Sequence, residues 1–454
     1  MAGNERVNKT EKLNSLSVDG LTVKDVPDSR LNEMVTRILS AFYMLGQDKG
    51  FPDIAFDSWA QKAKNVYNFK YCFKHHIQFI RELGAASTVL LKNSKSVLPL
   101  QPRSEDLIAV IGEDARLPKV LNEFVNRGGN DGTLAQGWGS GSAEFPYLVA
   151  PLGAISSRHA KTVSSVDNYN LDFAKNVASS ASVAIVFVNA DSGEGGMTVE
   201  GHDADRNDLK LWHKSDELIE AVSSVNENTV IVIHSVGAVE MPWINHPNIS
   251  AVVLAFLPGQ ESGNSIADIL FGNVNPSARL PFTIHEKREE YAAGVIYKSN
   301  GVVIPQIYYS EGLFFDYRHA DKFNITPLFP FGHGLSYTSF EYSKLHVSRV
   351  QKHNPRFSIR VAIQIQNVGK RDGHEVVQVY VVYPPEANEP PKLLKGFERV
   401  WVRHGARVNI KVLIDAKSLR VWGDDGWEFV RGEYVIYVGG SSRNLRPEAR
   451  IIWG

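Results

Sequence analysis

Ala184-Ile185-Val186-Phe187-Val188 is an apolar run typical of a buried strand, and Asp191-Ser192-Gly193-Glu194-Gly195 follows it after two residues. This order predicts a glycine-flanked loop at the carboxyl end of a strand, with Glu194 projecting from it. Glycine permits sharp turns and close backbone approach to a ligand, and α/β sheets bind ligands at the carboxyl ends of their strands. We therefore take Glu194 as a candidate catalytic residue, although a solvated loop glutamate is the commoner outcome of this pattern.

The surrounding sequence alternates between apolar, strand-like runs and helical stretches. Strands are predicted at 107–111, 183–188, 230–233 and 252–256, and helices at 209–225 and 261–271. Strands that alternate with helices form mainly parallel sheets with helices packed on their faces. We therefore predict an α/β sandwich over residues 80–285.

After residue 340 the pattern changes to strands alone. Five apolar residues occupy every second position of one run: Phe357, Ile359, Val361, Ile363 and Ile365. Such alternation indicates a half-buried strand, and the turn-like run 367–373 predicts an antiparallel pair with 375–382. Further strands at Arg407–Ile414 and 433–438 predict an all-β sandwich of the fibronectin type over residues 340–454. Residues 286–339 then form a connector, and residues 1–79 an N-terminal helix and linker.

The N-terminal helix is predicted at residues 29–45. Asp28-Ser29 can cap it, and Gly46 can end it. Six apolar residues recur at helical spacing: Leu31, Met34, Val35, Ile38, Phe42 and Leu45. Burying such side chains contributes about 1.5–3 kcal/mol each. We therefore expect helix 29–45 to pack on a partner chain or on a second copy of this chain.

Composition restricts the class of ligand. The 454 residues are enough for about two to three domains, and the 43% apolar content supports a substantial core. A net charge of −1 with no dense basic block favours neither nucleic acid nor an anionic membrane. No apolar run approaches the length of a membrane span. A small neutral ligand is the remaining expectation.

Cysteine and histidine usage indicates neither disulfides nor metal. Cys72 is the single cysteine, and the 14 histidines form no HExxH pattern or Cys/His cluster. We therefore expect no cofactor. The first ten residues have no apolar core of a signal peptide, so the sequence as written predicts a cytoplasmic location. The sequons at Asn8, Asn248 and Asn324 act only in the secretory lumen.

Two further loops share the character of the Glu194 loop, at 130–142 and 261–264. Both are rich in glycine and in hydrogen-bonding side chains, and together the three loops predict a polyol-binding surface. The motifs in and around them resemble the fungal β-glucosidases of glycoside hydrolase family 3. They are Gly137-Trp138-Gly139-Ser140-Gly141, Asn189-Ala190-Asp191-Ser192-Gly193-Glu194-Gly195, Asp205-Arg206-Asn207, Pro258-Gly259-Gln260-Glu261, the run 272–281, Tyr317-Arg318-His319 and the run 331–337.

The resemblance implies a retaining mechanism with two carboxylates, and it assigns the acid/base role to Glu194. The family's nucleophile follows a Ser-Asp-Trp signature in an N-terminal (β/α)8 barrel, and this tripeptide is absent from the sequence. Asp57-Ser58-Trp59 has a different order and context. The resemblance therefore implies the C-terminal portion of such an enzyme, with residues 1–79 as a remnant of the barrel's end and a linker. Retaining hydrolysis by this chain alone is not expected, because retention needs two carboxyl groups about 5–5.5 Å apart. An inverting reaction stays open, since a second carboxylate about 6.5–9.5 Å away could activate water. The nearby candidates are Asp191, Glu200, Asp203 and Asp205, although each is more commonly a surface or structural carboxylate.

The resemblance also implies roles for residues beside Glu194. Trp138, Ser140 and Asp191 are expected to bind substrate, although Ser140 could equally cap its loop. Asp205 and Arg206 are expected to form a structural ion pair, because a guanidinium and a carboxylate match geometrically.

Three functions remain open from the sequence. The chain is a β-glucosidase-like protein that needs a barrel partner; or a repurposed intracellular enzyme that acts on a small metabolite through Glu194; or a non-catalytic carbohydrate-binding or scaffold protein. In the first and third cases the ligand is a small neutral sugar or glycoside.

Overall fold

The computed structural model describes residues 26–50, 73–121, 131–137, 139, 141–194, 198–199, 202–203, 205–294, 306–351 and 357–453. The chain divides into two compact units, residues 1–67 and residues 68–454.

In the first unit, helix α1 spans Asp28–Met44 and confirms the predicted N-terminal helix. The predicted cap is wrong, because Pro27 is the N-cap residue and no side chain caps the helix; Asp28 lies inside the first turn. The helix ends just before Gly46, whose φ of 67° suits glycine. Five of the six residues of the apolar stripe are exposed, and Ile38 is the most exposed of them at 69%. Phe42 is partly buried.

The second unit begins with an α/β domain. Its helices are α2 (Phe73–Ser87), α3 (Pro151–Arg158), α4 (Leu171–Ser179), α5 (Ser215–Ser223), α6 (Ser262–Leu270) and α7 (Tyr317–Lys322). Its strands are β1 (Val89–Asn93), β2 (Ile108–Ile111), β3 (Thr162–Ser165), β4 (Val183–Ala190), β5 (Thr198–Val199), β6 (His202–Asp203), β7 (Thr229–Ser235) and β8 (Ile249–Leu254). Within the described residues, six of the strands form one sheet in the order β1-β8-β7-β4-β2-β3, and β5 pairs with β6 in a short ribbon.

The parallel sheet confirms the predicted α/β fold. Strands β2, β4, β7 and β8 are buried at every residue because core side chains pack on both faces of the sheet. Strand β1 pairs antiparallel with β8 and forms an edge that the sequence did not indicate. The helix predicted at 209–225 begins only at Ser215, since His213 and Lys214 adopt left-handed backbone angles.

The C-terminal part is an antiparallel β-sandwich, as predicted. Its strands are β9 (Phe340–Gln351), β10 (Phe357–Asn367), β11 (Gly373–Val382), β12 (Leu393–Val402), β13 (Arg407–Ile414), β14 (Val421–Gly423), β15 (Gly426–Glu428), β16 (Gly432–Gly439) and β17 (Leu445–Trp453). One described sheet has the order β13-β10-β9 and the other β12-β11-β16-β17, while β14 and β15 form a separate hairpin.

The predicted antiparallel pairing of 357–366 with 375–382 is wrong, because β10 and β11 lie in different sheets. The run 367–373 is a corner between the two sheets, and Asn367 stabilises it. The amide of Asn367 donates to Arg371 O at 2.8 Å and to Val402 O at 3.0 Å. A corner and a hairpin turn have similar glycine-rich sequences, so local pattern did not distinguish them.

No helix in the described part of the chain is long and apolar enough to cross a membrane. In the same residues, no group of three or more His, Cys, Asp or Glu side chains is arranged to hold a metal ion.

Candidate functional site

Glu194 lies in the loop that follows β4, at the carboxyl edge of the parallel sheet. Strands β2 and β7 pair with β4 on either side, so the loops that follow them meet the Glu194 loop at the same edge. The side chain of Glu194 is exposed. The prediction that this glutamate projects from the end of a central strand agrees with the structure.

The loop before α3 passes close to Glu194. At Gly139, a Cβ atom would lie 3.1 Å from Oε2 and 3.2 Å from Cγ of Glu194. The φ of Gly139 is 141°, which side chains rarely adopt. A Cβ at Gly137 would similarly lie 3.2 Å from Ser192 O. Two glycines therefore let this loop pack against the Glu194 loop. Trp138 and Ser140, the predicted substrate contacts between these glycines, lie outside the described residues.

Asp191 occupies a different environment from Glu194. It is only 1% exposed, and its Oδ1 accepts a hydrogen bond from Ser192 N at 2.7 Å. Its other oxygen, Oδ2, is buried without a partner among the described residues. Burial raises the pKa of Asp191 to about 8, against the opposing effects of the Ser192 N–H and of Arg206. Asp191 is therefore a buried neutral acid below pH 8 that supports the loop, and its direct contact with substrate stays a prediction.

The predicted ion pair between Asp205 and Arg206 is replaced by a link through Ser192. The Ser192 hydroxyl donates to Asp205 Oδ1 and accepts from Arg206 N, both at 3.1 Å. The Arg206 guanidinium instead donates to Ala238 O. Burial lowers the pKa of Arg206, and its Nη1 has no hydrogen-bond partner among the described residues. The guanidinium is largely buried and interacts electrostatically with Asp191, whereas Asp205 is exposed.

A buried polar network beneath the site was not found by sequence reasoning. Asp114 Oδ2 lies 2.5 Å from His234 Nδ1, and Asp114 Oδ1 accepts from Leu134 N at 2.7 Å and from Asn189 Nδ2 at 3.1 Å. His234 Nε2 in turn lies 3.3 Å from Ser262 Oγ. The network joins the ends of β2, β4 and β7 to α6 and to the loop before α3, which contains Gly137 and Gly139. In the sequence, the polar residues at the ends of apolar strands are the signal that could have indicated this network.

The chemistry of this arrangement is that of one proton donor and acceptor on a pre-positioned loop. Glu194 is exposed and lies close to Gly139, while Asp191 is buried and its pKa is raised to about 8. An exposed carboxyl group can protonate a leaving oxygen and later activate water. A group with this function needs a second carboxylate to complete glycoside hydrolysis.

Comparisons with known proteins match both domains of the chain. The profile of the glycosyl hydrolase family 3 C-terminal domain matches residues 88–337, and that of the fibronectin type III-like domain matches residues 375–442. The sequence is 42% identical over 443 residues to "Probable beta-glucosidase L" of Aspergillus terreus, covering 93% of this chain and 59% of the relative. It is 46% identical over 538 residues to "Beta-glucosidase 1" of Aspergillus aculeatus, covering 94% and 62%.

Solved structures show the same relationship. The crystal structure of a beta-D-glucoside glucohydrolase from Trichoderma reesei aligns with a TM-score of 0.82 and 36% identity, covering 94% of this chain and 61% of that one. A beta-glucosidase from Chaetomella raphigera aligns with a TM-score of 0.85 and 36% identity, covering 95% and 62%. The chain thus spans about three fifths of the length of these relatives. The C-terminal domain profile matches more than half of the residues of this chain, and the matched range includes the Glu194 loop. The chain therefore belongs to glycosyl hydrolase family 3.

Proposed function

We propose that this chain carries the acid/base half of a retaining β-glucosidase that removes terminal β-D-glucosyl residues from small neutral glycosides. Glu194 is the proton donor and acceptor, and the nucleophilic carboxylate comes from a segment outside the 454 residues. The observation that carries the proposal is the packing of Gly139 against Glu194, with 3.1 Å between the position of a Cβ and Oε2. The absence of a Cβ at Gly139 leaves room for an exposed carboxyl group at the carboxyl edge of the sheet, where α/β sheets bind ligands.

The proposal assigns each neighbouring residue a supporting task. Asp191, buried and neutral below pH 8, holds the start of the loop through the Ser192 N–H without placing a second negative charge beside Glu194. Ser192 ties the same loop to residues 205 and 206. Trp138 and Ser140 are proposed to contact the sugar or its aglycone.

In the proposed reaction, the external carboxylate attacks the anomeric carbon while Glu194 donates its proton to the leaving oxygen. Glu194 then removes a proton from a water molecule, whose oxygen attacks the anomeric carbon and breaks its bond to the external carboxylate. This step releases glucose and regenerates both carboxyl groups. Glu194 acts in both steps, so it must change protonation state once in each half of the cycle. These 454 residues alone are therefore expected to cleave no glycoside.

The test is hydrolysis of aryl β-D-glucosides between pH 4 and 7. The chain is assayed alone and together with the N-terminal portion of the Aspergillus terreus relative, supplied as a separate protein. We expect cleavage only in the mixture. Glu194→Gln is expected to lower kcat/KM by about 10²–10⁴-fold on a poor leaving group, and much less on a dinitrophenyl glucoside, whose leaving group needs no proton. The kcat should fall on both substrates, because Glu194 also activates water in the second step.

Glu227→Gln provides the matched control, because Glu227 is exposed and precedes β7 at the opposite edge of the sheet. This variant is expected to keep full activity. A mixture that cleaves equally well with Glu194→Gln contradicts the assignment of Glu194, and a mixture that never cleaves contradicts the division of the active site between two segments.

A further inference from the structure

A second cleft lies at the junction of the α/β domain and the β-sandwich, and none of the residues that line it belongs to the Glu194 loop. Its volume is about 900 Å³, and residues such as Gln101 and Tyr337 line it on one side and Arg371 and Asn444 on the other. Clefts of about 300–1,000 Å³ are typical of small-molecule sites, and domain junctions are a frequent place for them.

Three polar groups converge on one point of the cleft floor. The position that a Cβ of Gly440 would occupy is 3.7 Å from Glu375 Oε1, 3.7 Å from Tyr342 OH and 3.9 Å from Asn444 Nδ2. The glycine therefore leaves open a space of about one methyl group between a carboxylate, a phenol and an amide. A ligand hydroxyl is both a donor and an acceptor, so it suits such a mixed set.

The floor is rigidly held. Glu375 Oε1 accepts hydrogen bonds from Arg279 Nη2 at 2.8 Å and from Tyr342 OH at 2.9 Å. The Arg279 and Glu375 side chains are only 10% and 5% exposed. The Nε of Arg279 is buried and has no partner among the described residues. A fixed ion pair lowers the entropic cost of ordering a binding site.

The cleft also carries an excess of positive charge. Among its described lining residues, Arg279, Lys370 and Arg371 are cationic and Glu375 is the single carboxylate. Arg279 is neutralised by Glu375, whereas the side chains of Lys370 and Arg371 form no ion pair or hydrogen bond with a described residue. The neighbouring Asp372 is turned to His404, with Oδ1 accepting from His404 N at 2.8 Å. Two cations are thus left to face the cleft without an acid.

We propose that this cleft binds a small polyhydroxylated anion, meaning a sugar that carries one phosphate or carboxylate group. Lys370 and Arg371 bind the anionic group, since ammonium and guanidinium groups form strong, charge-assisted hydrogen bonds with both kinds of anion. Glu375, Tyr342 and Asn444 bind the hydroxyls above Gly440. The site is independent of the hydrolysis assigned to Glu194.

Isothermal titration calorimetry of the full chain tests the proposal with four compounds. Glucose 6-phosphate carries a phosphate group and gluconate a carboxylate group, so they represent the two sources of negative charge. Glucose has the hydroxyls without an anionic group, and inorganic phosphate has the negative charge without the sugar. At least one anionic sugar is expected to bind about tenfold or more tightly than both glucose and phosphate. No heat with either anionic sugar overturns the proposal, and so does affinity for glucose or phosphate equal to that for the anionic sugar.

Two variants locate the binding. The double variant Lys370→Gln with Arg371→Gln is expected to bind the anionic sugar about tenfold or more weakly than the wild type does. Arg360→Gln with Lys411→Gln removes the same charge from exposed positions outside the cleft and is expected to change nothing. Gly440→Ala fills the open space with contacts of 3.7–3.9 Å, which are ordinary packing distances, so the fold is retained while the ligand is excluded.

Equal affinity in the cleft variant and its charge-matched control overturns the proposal. Unchanged affinity in Gly440→Ala also overturns it, because a ligand that reaches the floor cannot share that space with a methyl group. Far-ultraviolet circular dichroism of each variant confirms that the loss of binding is not a loss of fold.

Discussion

Asp191 and Glu194 belong to one short loop, yet the fold gives their carboxyl groups opposite surroundings. The Asp191 side chain is buried, whereas the Glu194 side chain is exposed. Desolvation disfavours the charged form of a carboxyl group, so burial raises the pKa of Asp191 to about 8. The difference in environment, and not in residue type, separates the supporting acid from the candidate acid/base.

The raised pKa of Asp191 predicts a loss of stability with increasing pH. Between the unfolded pKa near 3.8 and the folded pKa near 8, the native state retains a proton that the unfolded state has released. The free energy of unfolding should therefore fall across this window, by at most about 1.4 kcal/mol per pH unit. Asp191→Asn cannot ionise and should remove that decrease. Urea unfolding at several pH values from 4 to 8 measures both slopes.

Asp172→Asn is the control for this experiment, because the Asp172 side chain is fully exposed. Its slope should equal that of the wild type. The interpretation fails when Asp191→Asn keeps the pH dependence of the wild-type protein.

At the scale of elements, Asp268 joins three helices of the α/β domain. Its carboxylate on α6 accepts hydrogen bonds from Arg81 Nε of α2 at 2.5 Å and from Arg158 Nη2 of α3 at 2.6 Å. Burial alone would raise the pKa of Asp268, but these two guanidinium groups outweigh it and hold the pKa below its ordinary value. One acid thus fixes two helices against a third.

Asp268→Asn should lower the free energy of unfolding by about 1–3 kcal/mol near neutral pH, because two guanidinium groups lose their anionic acceptor. A depressed pKa stabilises the fold above the unfolded value near 3.8, and that contribution is lost as pH falls through the folded pKa. The difference between the wild type and the variant should therefore shrink in acid. Thermal or urea unfolding at pH 7 and at pH 3 checks both effects, and an equal difference at the two pH values would refute the ionic explanation.

Helix α1 has an apolar stripe that is largely exposed, and we propose that a second copy of the chain covers it. Ile38 and Met34 are 69% and 47% exposed, and leaving such side chains in water forgoes about 1.5–3 kcal/mol each. Ile38→Glu should shift the chain toward monomer in sedimentation velocity. Ser40→Glu adds the same charge outside the stripe and should leave the association unchanged; a wild-type chain that is monomeric at all concentrations excludes the idea.

At the scale of the molecule, Gln378 joins the α/β domain to the β-sandwich. Its amide donates to Gly332 O at 3.0 Å and to Gly440 O at 2.7 Å, and its oxygen accepts from Tyr380 OH at 2.7 Å. All of these bonds are buried or partly buried. The two domains are therefore expected to unfold in one cooperative transition.

Gln378→Ala should leave these partners unpaired and cost about 1–3 kcal/mol. Because the lost bond to Gly332 crosses the domain junction, calorimetry should show the single transition broaden or divide in two. Gln364→Ala is the control, since Gln364 forms an exposed bond to Asn409 within one sheet. A variant of Gln378 that unfolds at the wild-type temperature with an unchanged transition would show that the junction does not depend on this residue.

Sequence reasoning succeeded where the pattern was local and continuous. The apolar runs around Val186 and Ile231 are buried on both faces, so period and length sufficed to identify β4 and β7. It failed where pairing or direction depended on distant residues. The antiparallel edge strand β1 and the sheet corner at Asn367 are both examples, because each is defined by a partner far away in the chain.

The order of apolar runs and glycine loops by itself determined the α/β sandwich, the β-sandwich, helix α1 and the place of Glu194 at a strand end. These follow from side-chain periodicity and backbone freedom, which act over a few residues. Only the tertiary structure decided that Asp191 is buried, that Ser192 separates Asp205 from Arg206, and that a cleft forms beside Gly440. Burial, ionisation and cavity shape depend on which distant elements pack together, and no local pattern encodes that packing.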